Sequence, residues 1–166
     1  MSQFSQAQIK NIKTNDVQTN TINILLREIA QVKDLEKTFK EYQGHSSLYI
    51  TLDFEFGKDY REALDILNPI SGIKVGIATN RILKPKEYHH LNLLTRLELD
   101  FILARNLGAF QYLKLKKPEL EIRGDFSLNV ANSQTANYLL NKGFSALTTS
   151  YDLNAQQATQ LLEQTD

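Results

Sequence analysis

The chain has 166 residues, of which 42% are hydrophobic and 23% are charged, a composition typical of one soluble globular domain. Nineteen basic residues balance nineteen acidic ones, so the net charge gives no support for an RNA-binding module, which normally carries a basic surplus. The absence of cysteine excludes disulfides, thiolate nucleophiles and cysteine-ligated metal within these residues. No apolar run approaches the roughly 20 residues that cross a bilayer, and residues 1–20 lack the apolar core of a signal peptide, so we expect a cytoplasmic protein with no membrane partner.

Two regions follow from the pattern of apolar residues. Residues 1–20 are rich in Gln, Asn, Ser and Thr, and we predict a polar N-terminal segment there. Residues 21–166 are predicted to form a single α/β domain in which strands and amphipathic helices alternate. The predicted strands are TINILLREI, SLYITLDFEF, GIKVGIATN, DFILARN, LEIRG and SALTTSYD, and the predicted helices are KDLEKTFKEY, DYREALDILN, 87–97, LGAFQYLKL, a segment that ends at Gly143, and LNAQQATQLLEQ.

Strands that alternate with helices in this way indicate βα units and a parallel sheet. Six units begin near positions 22, 48, 73, 100, 120 and 145, a repeat of roughly 25 residues. Such regular units favour a barrel-type wind over a Rossmann sheet, and the GxGxxG fingerprint is absent. An eight-unit barrel needs about 250 residues. The chain is therefore predicted to form either a flavodoxin-like open sheet or an incomplete TIM-type barrel of about six βα units.

Polar side chains gather where each predicted strand ends. In parallel α/β folds these ends share one face, where binding and catalysis are sited. A cap or turn is the alternative for any single residue there, as for Asn132 or Ser133 and for Asp152 or Asn154. The polar strand ends are Arg27 and Glu28, Asp53 and Glu55, Thr79 to Arg81, Arg105 and Asn106, Asp125, Ser127 and Asn129, and Ser150 to Asp152.

Arg81 and Arg105 contribute nothing to turn geometry, which leaves two alternatives open. They bind a phosphate or carboxylate of a ligand, or they pair with Asp53 and Asp125 in a structural network of salt bridges. No catalytic constellation can be assembled from spacing, because the adjacent His89 and His90 are not near a strand end.

Four motifs, taken together, resemble the collagenase-like U32 peptidase family in order and spacing across roughly residues 22–166. They are ATNRILKP (78–85), LARNLGAFQYL (103–113), RGDFSLNVANSQTANYLLNKG (123–143) and LTTSYDLNAQQ (147–157), of which the last two are the most specific. The resemblance implies an incomplete TIM-type barrel. It also implies a ligand-binding face built from Arg81, Arg105, Asn106, Gly124, Asp125, Asn129, Asn132, Ser133, Tyr151 and Asp152.

Two departures from the family pattern bear on function. Asn80 stands where the family usually has a proline, and the cysteines that hold an iron–sulfur cluster in several members, downstream of the motif matched by SYDLN, are not in this chain. We therefore expect a fragment or sub-domain of a longer protein, with weak activity or none in isolation, no cofactor within the chain, and a cluster only in a longer parent.

The residues do not decide between three functions, of which the resemblance implies the first two. The first is the barrel portion of a hydrolase that acts on a protein or peptide, with an unassigned nucleophile. The second is the barrel part of a protein that hydroxylates RNA or a quinone precursor with a cluster held outside this chain. The third is a non-enzymatic binding module. An incomplete barrel also leaves its first and last strands as edges, so we expect either a homo-oligomer or cover by residues 1–20.

Overall fold

Parallel strands alternate with helices throughout the part of the chain that the computed structural model describes, residues 21–39, 47–55 and 59–165. The predicted polar segment 1–20 lies outside this part. In these ranges every helix is too short or too polar to traverse a lipid bilayer. The elements are β1 (Thr21–Leu26), α1 (Ile29–Phe39), β2 (Ser47–Leu52), α2 (Tyr60–Leu67), β3 (Ile73–Ala78), α3 (His89–Leu94), β4 (Phe101–Ala104), α4 (Leu107–Lys116), β5 (Glu121–Gly124), α5 (Ser133–Lys142), β6 (Ala146–Leu147) and α6 (Ala155–Glu163).

The six strands lie side by side in the order of the chain, and every neighbouring pair is parallel. A flavodoxin-like sheet would reverse its strand order at a switch point. The sheet instead curls, so that Arg123 on β5 donates a hydrogen bond of 3.1 Å to Asn23 on β1, a strand that is not its neighbour. The fold is therefore a half-barrel, an incomplete α/β barrel of TIM type, which is one of the two folds that the strand–helix pattern allows and the one that the family resemblance implies.

The hydrophobic core lies between the convex face of the sheet and the helices. Alternate strand residues such as Ile50, Ile77, Ile102 and Ile122 are almost completely buried there, together with helix residues such as Leu67. Full burial of one such side chain contributes roughly 1.5–3 kcal/mol. The remaining strand positions point to the concave face, because successive side chains in a strand alternate between the two faces.

Aromatic and cationic side chains from β2, β4 and β5 cover part of this concave face. The Arg123 guanidinium lies 4.2 Å from the centre of the Tyr49 ring and 5.5 Å from that of Phe101. Tyr49 and Phe101 themselves meet edge to face at 5.5 Å. Gly76 on β3 lies between their strands, and a Cβ there would come within 2.6 Å of the Phe101 ring and carbonyl oxygen. The packing of Phe101 on the concave face thus requires a residue without a Cβ at position 76.

The structure differs from the sequence predictions at both ends of the domain. α1 begins at Ile29 rather than near Lys33, because the Gln31 side chain accepts hydrogen bonds from the N–H groups of Arg27 and Glu28. The predicted strand SALTTSYD is wrong beyond its third residue. β6 covers Ala146–Leu147, and a single bridge between Val130 and Thr149 then precedes a turn. Gly143 ends α5 with φ of 108°, as predicted.

Replacing Gly76 with alanine is expected to lower the free energy of unfolding by about 1–3 kcal/mol, since the new methyl group meets the Phe101 backbone as well as its ring. Urea unfolding measures the effect as a lower midpoint at an unchanged slope. Ser71→Ala, at an exposed position, serves as the control. Equal midpoints for both variants would show that the close approach of Phe101 does not constrain the sheet.

Candidate functional site

A network of three charged side chains occupies the carboxyl end of the half-barrel. Arg105 follows β4 and donates two parallel hydrogen bonds to Asp53, which follows β2, at 2.7 and 2.8 Å. Its Nε donates to Asp125, which follows β5, at 3.2 Å. Bidentate pairs of this kind are the strongest hydrogen-bonded ion pairs in proteins. The network therefore joins the ends of three strands, of which β2 and β4 are separated by β3.

Two hydroxyl groups hold this network in place. Thr79, after β3, accepts a hydrogen bond of 3.0 Å from the backbone N–H of Arg105. Ser127 donates to the backbone carbonyl of Arg105 at 2.9 Å and contacts Asp125 at 3.1 Å. The backbone on each side of Arg105 is thus bonded to a neighbouring unit, and its guanidinium has little freedom to move toward a ligand.

The charges in the network compensate one another away from water. The side chain of Arg105 is 8% exposed, that of Asp125 6% and that of Asp53 21%. Burial by itself lowers the pKa of the guanidinium, but the hydrogen bonds and charges of Asp53 and Asp125 outweigh burial and raise the pKa of Arg105. Arg105 therefore remains a cation whose charge two carboxylates already neutralise.

A larger cavity of about 1020 Å³ opens above the network. Its lining combines cations, carboxylates and a few apolar groups from the ends of β1, β2, β3 and β4 and from the start of α2. Within the described residues, the side chains of Arg27 and Arg81 form no ion pair, and neither do Glu28, Glu55 and Asp59. The lining residues are Arg27, Glu28, Ile29, Asp53, Phe54, Glu55, Asp59, Asn80, Arg81 and Arg105.

A smaller cavity of about 360 Å³ lies on the concave face of the sheet. Arg27, Arg81 and Arg105 line both cavities, so the two adjoin at these arginines. Arg123 also lines the smaller cavity, and its carboxylate lining consists of Asp125, which pairs with Arg105.

An aromatic cluster lies beside the shared arginines. The Arg81 guanidinium is 4.9 Å from the centre of the Phe126 ring, and that ring is 4.7 Å from Tyr151. Phe126 belongs to a short 3-10 helix, Phe126–Leu128, that directly follows Asp125. Tyr151 is 73% exposed. The cluster thus presents one cation and one aromatic ring to solvent at the carboxyl end of the barrel.

Several of the predicted site residues have local structural partners. Asn106 caps α4 by accepting from Ala109, and its amide group donates to the carbonyl of Asn80. Asn132 caps α5 by accepting from Thr135, with Ser133 as the first residue of that helix. Both asparagines therefore take the capping alternative that strand-end position leaves open.

The predicted residues divide into those that line the two adjoining cavities and those that do not. Arg81, Arg105 and Asp125 line one or both, and Tyr151 packs against Phe126 of the smaller cavity. Asn129 is exposed, with a left-handed backbone at φ of 53°. Asp152 accepts a hydrogen bond from Ser150. Five predicted residues do not line either of these two cavities: Asn106, Asn129, Asn132, Ser133 and Asp152.

The structure also adds residues to the site. Arg27, Glu28 and Glu55 stand at strand ends in the sequence, yet nothing in their spacing separates them from ordinary solvated loop residues. Asp59 precedes α2 and reads as a helix start. Phe126 carried the clearest signal, because it is the one aromatic residue in the polar run from Gly124 to Ser127.

Carboxylates and guanidiniums are the chemically useful groups at this end of the barrel. His89 and His90 lie on α3 and do not line the cavities. The described ranges contain no group of three His, Asp or Glu side chains placed to hold a metal ion. The site can therefore bind charged and hydrogen-bonding ligands and exchange protons through its carboxylates.

Comparison with known proteins identifies one family. Residues 51–166 match the model of Peptidase family U32, a match that begins within β2, continues through α6 and includes all three members of the Arg105 network. Neither curated proteins nor solved structures gave a match to the chain.

Replacing Arg105 with alanine is expected to lower the free energy of unfolding by about 3–5 kcal/mol, because it leaves two carboxylates close together without a counter-charge. Arg105→Lys should cost less, since it keeps the charge and loses the bidentate geometry. Thermal and urea unfolding measure both. Lys33→Ala breaks the exposed pair with Glu62 and should leave stability near that of the wild type. An Arg105→Ala protein as stable as this control would contradict a structural role for the network.

Stability should fall between about pH 10 and pH 12 through Tyr60, whose hydroxyl donates to the Phe54 carbonyl below the larger cavity. Burial, followed by the charge of Asp53, raises the pKa of Tyr60 from 10.0 to about 12. In that range the unfolded chain loses the proton and the folded chain keeps it, so unfolding becomes easier as pH rises. The urea midpoint of the wild type should fall relative to that of Tyr60→Phe as pH rises from 8 to 12. A difference that stays constant over this range would contradict the shifted pKa.

Proposed function

Since the chain belongs to peptidase family U32, we propose that it is the peptide-binding barrel portion of a U32-type peptidase, with its substrate in the larger cavity. The observation that carries this proposal is the mixed lining of that cavity above the Arg105 network. Arg105, Asp53 and Asp125 form a rigid floor, while the carboxylates and guanidiniums around it remain without ion-pair partners in the described residues.

A peptide suits this lining in size and in chemistry. The volume of about 1020 Å³ is at the upper end of ordinary ligand pockets and accommodates several residues of an extended chain. Peptide N–H groups and basic side chains are donors for Glu28, Glu55 and Asp59, while peptide carbonyl groups are acceptors for Arg27 and Arg81. A ligand whose charges are all of one sign would leave either the carboxylates or the arginines without a partner.

The same groups support a hydrolysis in which water is the nucleophile. Thr79 and Ser127 are bonded to the backbone and to Asp125, and the chain has no cysteine, so water replaces a side-chain nucleophile. Glu28 or Glu55 takes one proton from the water as its oxygen attacks the peptide carbonyl carbon. An arginine side chain stabilises the oxygen that becomes negative. The carboxyl group then gives the proton to the departing nitrogen as the C–N bond breaks.

The alternative of RNA or quinone-precursor hydroxylation relies on an iron–sulfur cluster. This chain contains no cysteine to ligate one, and its described carboxylates and histidines form no metal-binding group. The residues of this chain therefore do not fit the cluster. The exposed Tyr151 ring could still stack on a base, which makes RNA the informative competitor in a binding experiment.

Fluorescently labelled gelatin-derived peptides are expected to bind the purified chain and to bind the Glu28→Gln/Glu55→Gln variant about tenfold more weakly, because the variant loses two charged acceptors. Anisotropy titration measures the affinities. Glu163→Gln, at an exposed position on α6, is the matched control and should bind like the wild type. Release of new amino groups during long incubation should fall in the double variant and not in the control.

The outcomes separate binding from chemistry. Peptide binding that is equal in all three proteins would overturn the site, and binding of single-stranded RNA in preference to peptide would overturn the function. Specific peptide binding with no amino-group release from the wild type would overturn the hydrolytic step for this chain and leave the binding function in place.

A further inference from the structure

We propose that Arg27 and Arg81 bind the C-terminal carboxylate of the peptide at the junction of the two cavities, so that the site recognises the free end of a chain. This inference rests on the proposed binding of peptides in the larger cavity. It assigns an orientation and a terminal specificity, neither of which follows from membership of the family.

The position of the two arginines supports an anion site. Arg27 follows β1 and Arg81 follows β3, and both side chains line both cavities. Arg105 is the third residue that lines both, but two carboxylates already neutralise it. The positive charge available to a ligand at the junction is therefore that of Arg27 and Arg81.

The carboxylates of the site are distributed unevenly around this junction. Glu28, Glu55 and Asp59 line the larger cavity and do not line the smaller one. The larger cavity thus has a positive end at Arg27 and Arg81. Its negative side is formed by Glu28, after β1, and by Glu55 and Asp59, between β2 and α2. A peptide with its carboxylate at the arginines places its N–H groups and any basic side chains toward the acidic residues.

Arg81 is held in a conformation that suits a carboxylate. Its guanidinium lies over the Phe126 ring at 4.9 Å. The Phe126 ring in turn packs against Tyr151, which helps to hold it in place. An arginine packed in this way keeps the N–H groups at its edge free to donate. A carboxylate accepts two such bonds in parallel, which is the geometry that the planar guanidinium favours. The backbone of Arg27 is fixed in turn by its hydrogen bond of 2.7 Å to Gln31.

The terminal carboxylate of a peptide fits this arrangement better than the phosphates of a nucleic acid. A polyanion that reached the arginines from the larger cavity would pass Glu28, Glu55 and Asp59, and like charges would repel it. A peptide carries a single negative charge at its end and hydrogen-bond donors along its backbone. Cleavage directed from that end would release short C-terminal products.

Two peptides of one sequence, one with a free C-terminal acid and one with a C-terminal amide, test the inference in calorimetric titrations of the full chain. The acid is expected to bind about tenfold or more tightly, since a charged hydrogen-bonded pair is lost with the amide. Arg27→Gln and Arg81→Gln should each reduce this ratio, and the double variant should bring it close to one. Arg96→Gln, an exposed arginine outside both cavities, is the matched control and should keep the full ratio.

Each outcome bears on a separate statement. Equal binding of acid and amide by the wild type would overturn the carboxylate site and leave peptide binding intact, whereas binding of neither peptide would overturn the proposed function itself. A preference for the acid that survives in the Arg27→Gln/Arg81→Gln protein would place the carboxylate elsewhere. Displacement of the acid by inorganic phosphate or single-stranded RNA at lower concentrations than by the amide would assign the junction to phosphates and overturn the inference.

Discussion

The ion pairs of Arg105 with Asp53 and Asp125 are the interaction on which the carboxyl end of this half-barrel depends. They join the ends of β2, β4 and β5 across an open sheet that lacks the closure of a complete barrel. Removing one partner would leave buried charge without compensation, so the three residues stabilise the structure as a unit. Their mutual neutralisation also decides which arginines remain for a ligand, and the proposed function follows from that division.

The fold was largely predictable, because its information is local. Alternating strand and helix patterns indicated six βα units, and Leu91 and Leu94 of the predicted helix 87–97 are buried in the core. Spacing alone could not separate an open flavodoxin-like sheet from an incomplete barrel, because strand order is a non-local property. The family resemblance favoured the incomplete barrel, and the hydrogen bond between Asn23 and Arg123 shows that the sheet curls as a barrel does. The short β6 escaped prediction since β-branched Thr148 and Thr149 favour a strand that the turn at Ser150 interrupts.

The sequence indicated where the candidate site lies but not which side chains line its cavities. Parallel strands bring their polar ends to one face, which located Arg81, Arg105 and Asp125 correctly at the carboxyl end. Whether a given polar side chain faces a cavity or caps a helix depends on one or two dihedral angles. Asn106 and Asn132 are predicted ligand-binding residues by position, and the structure shows that their amide oxygens accept from helix N–H groups. Similarly, Arg81 and Arg105 are alike in sequence, and their roles diverge only because Arg105 lies within reach of both aspartates.

The hydrogen bond between Asn23 and Arg123 has a mechanical consequence. It connects the first strand with the fifth across the open side of the sheet, and both of its residues line the smaller cavity but not the larger one. Its length therefore influences how tightly the sheet bends, and with it the separation between Arg27 at one edge and Asp125 near the other. Exchanges at residue 23 would therefore widen or narrow the mouth of the half-barrel without altering any group that lines the larger cavity. The width of that cavity and the chemical character of its lining can thus change independently in such a scaffold.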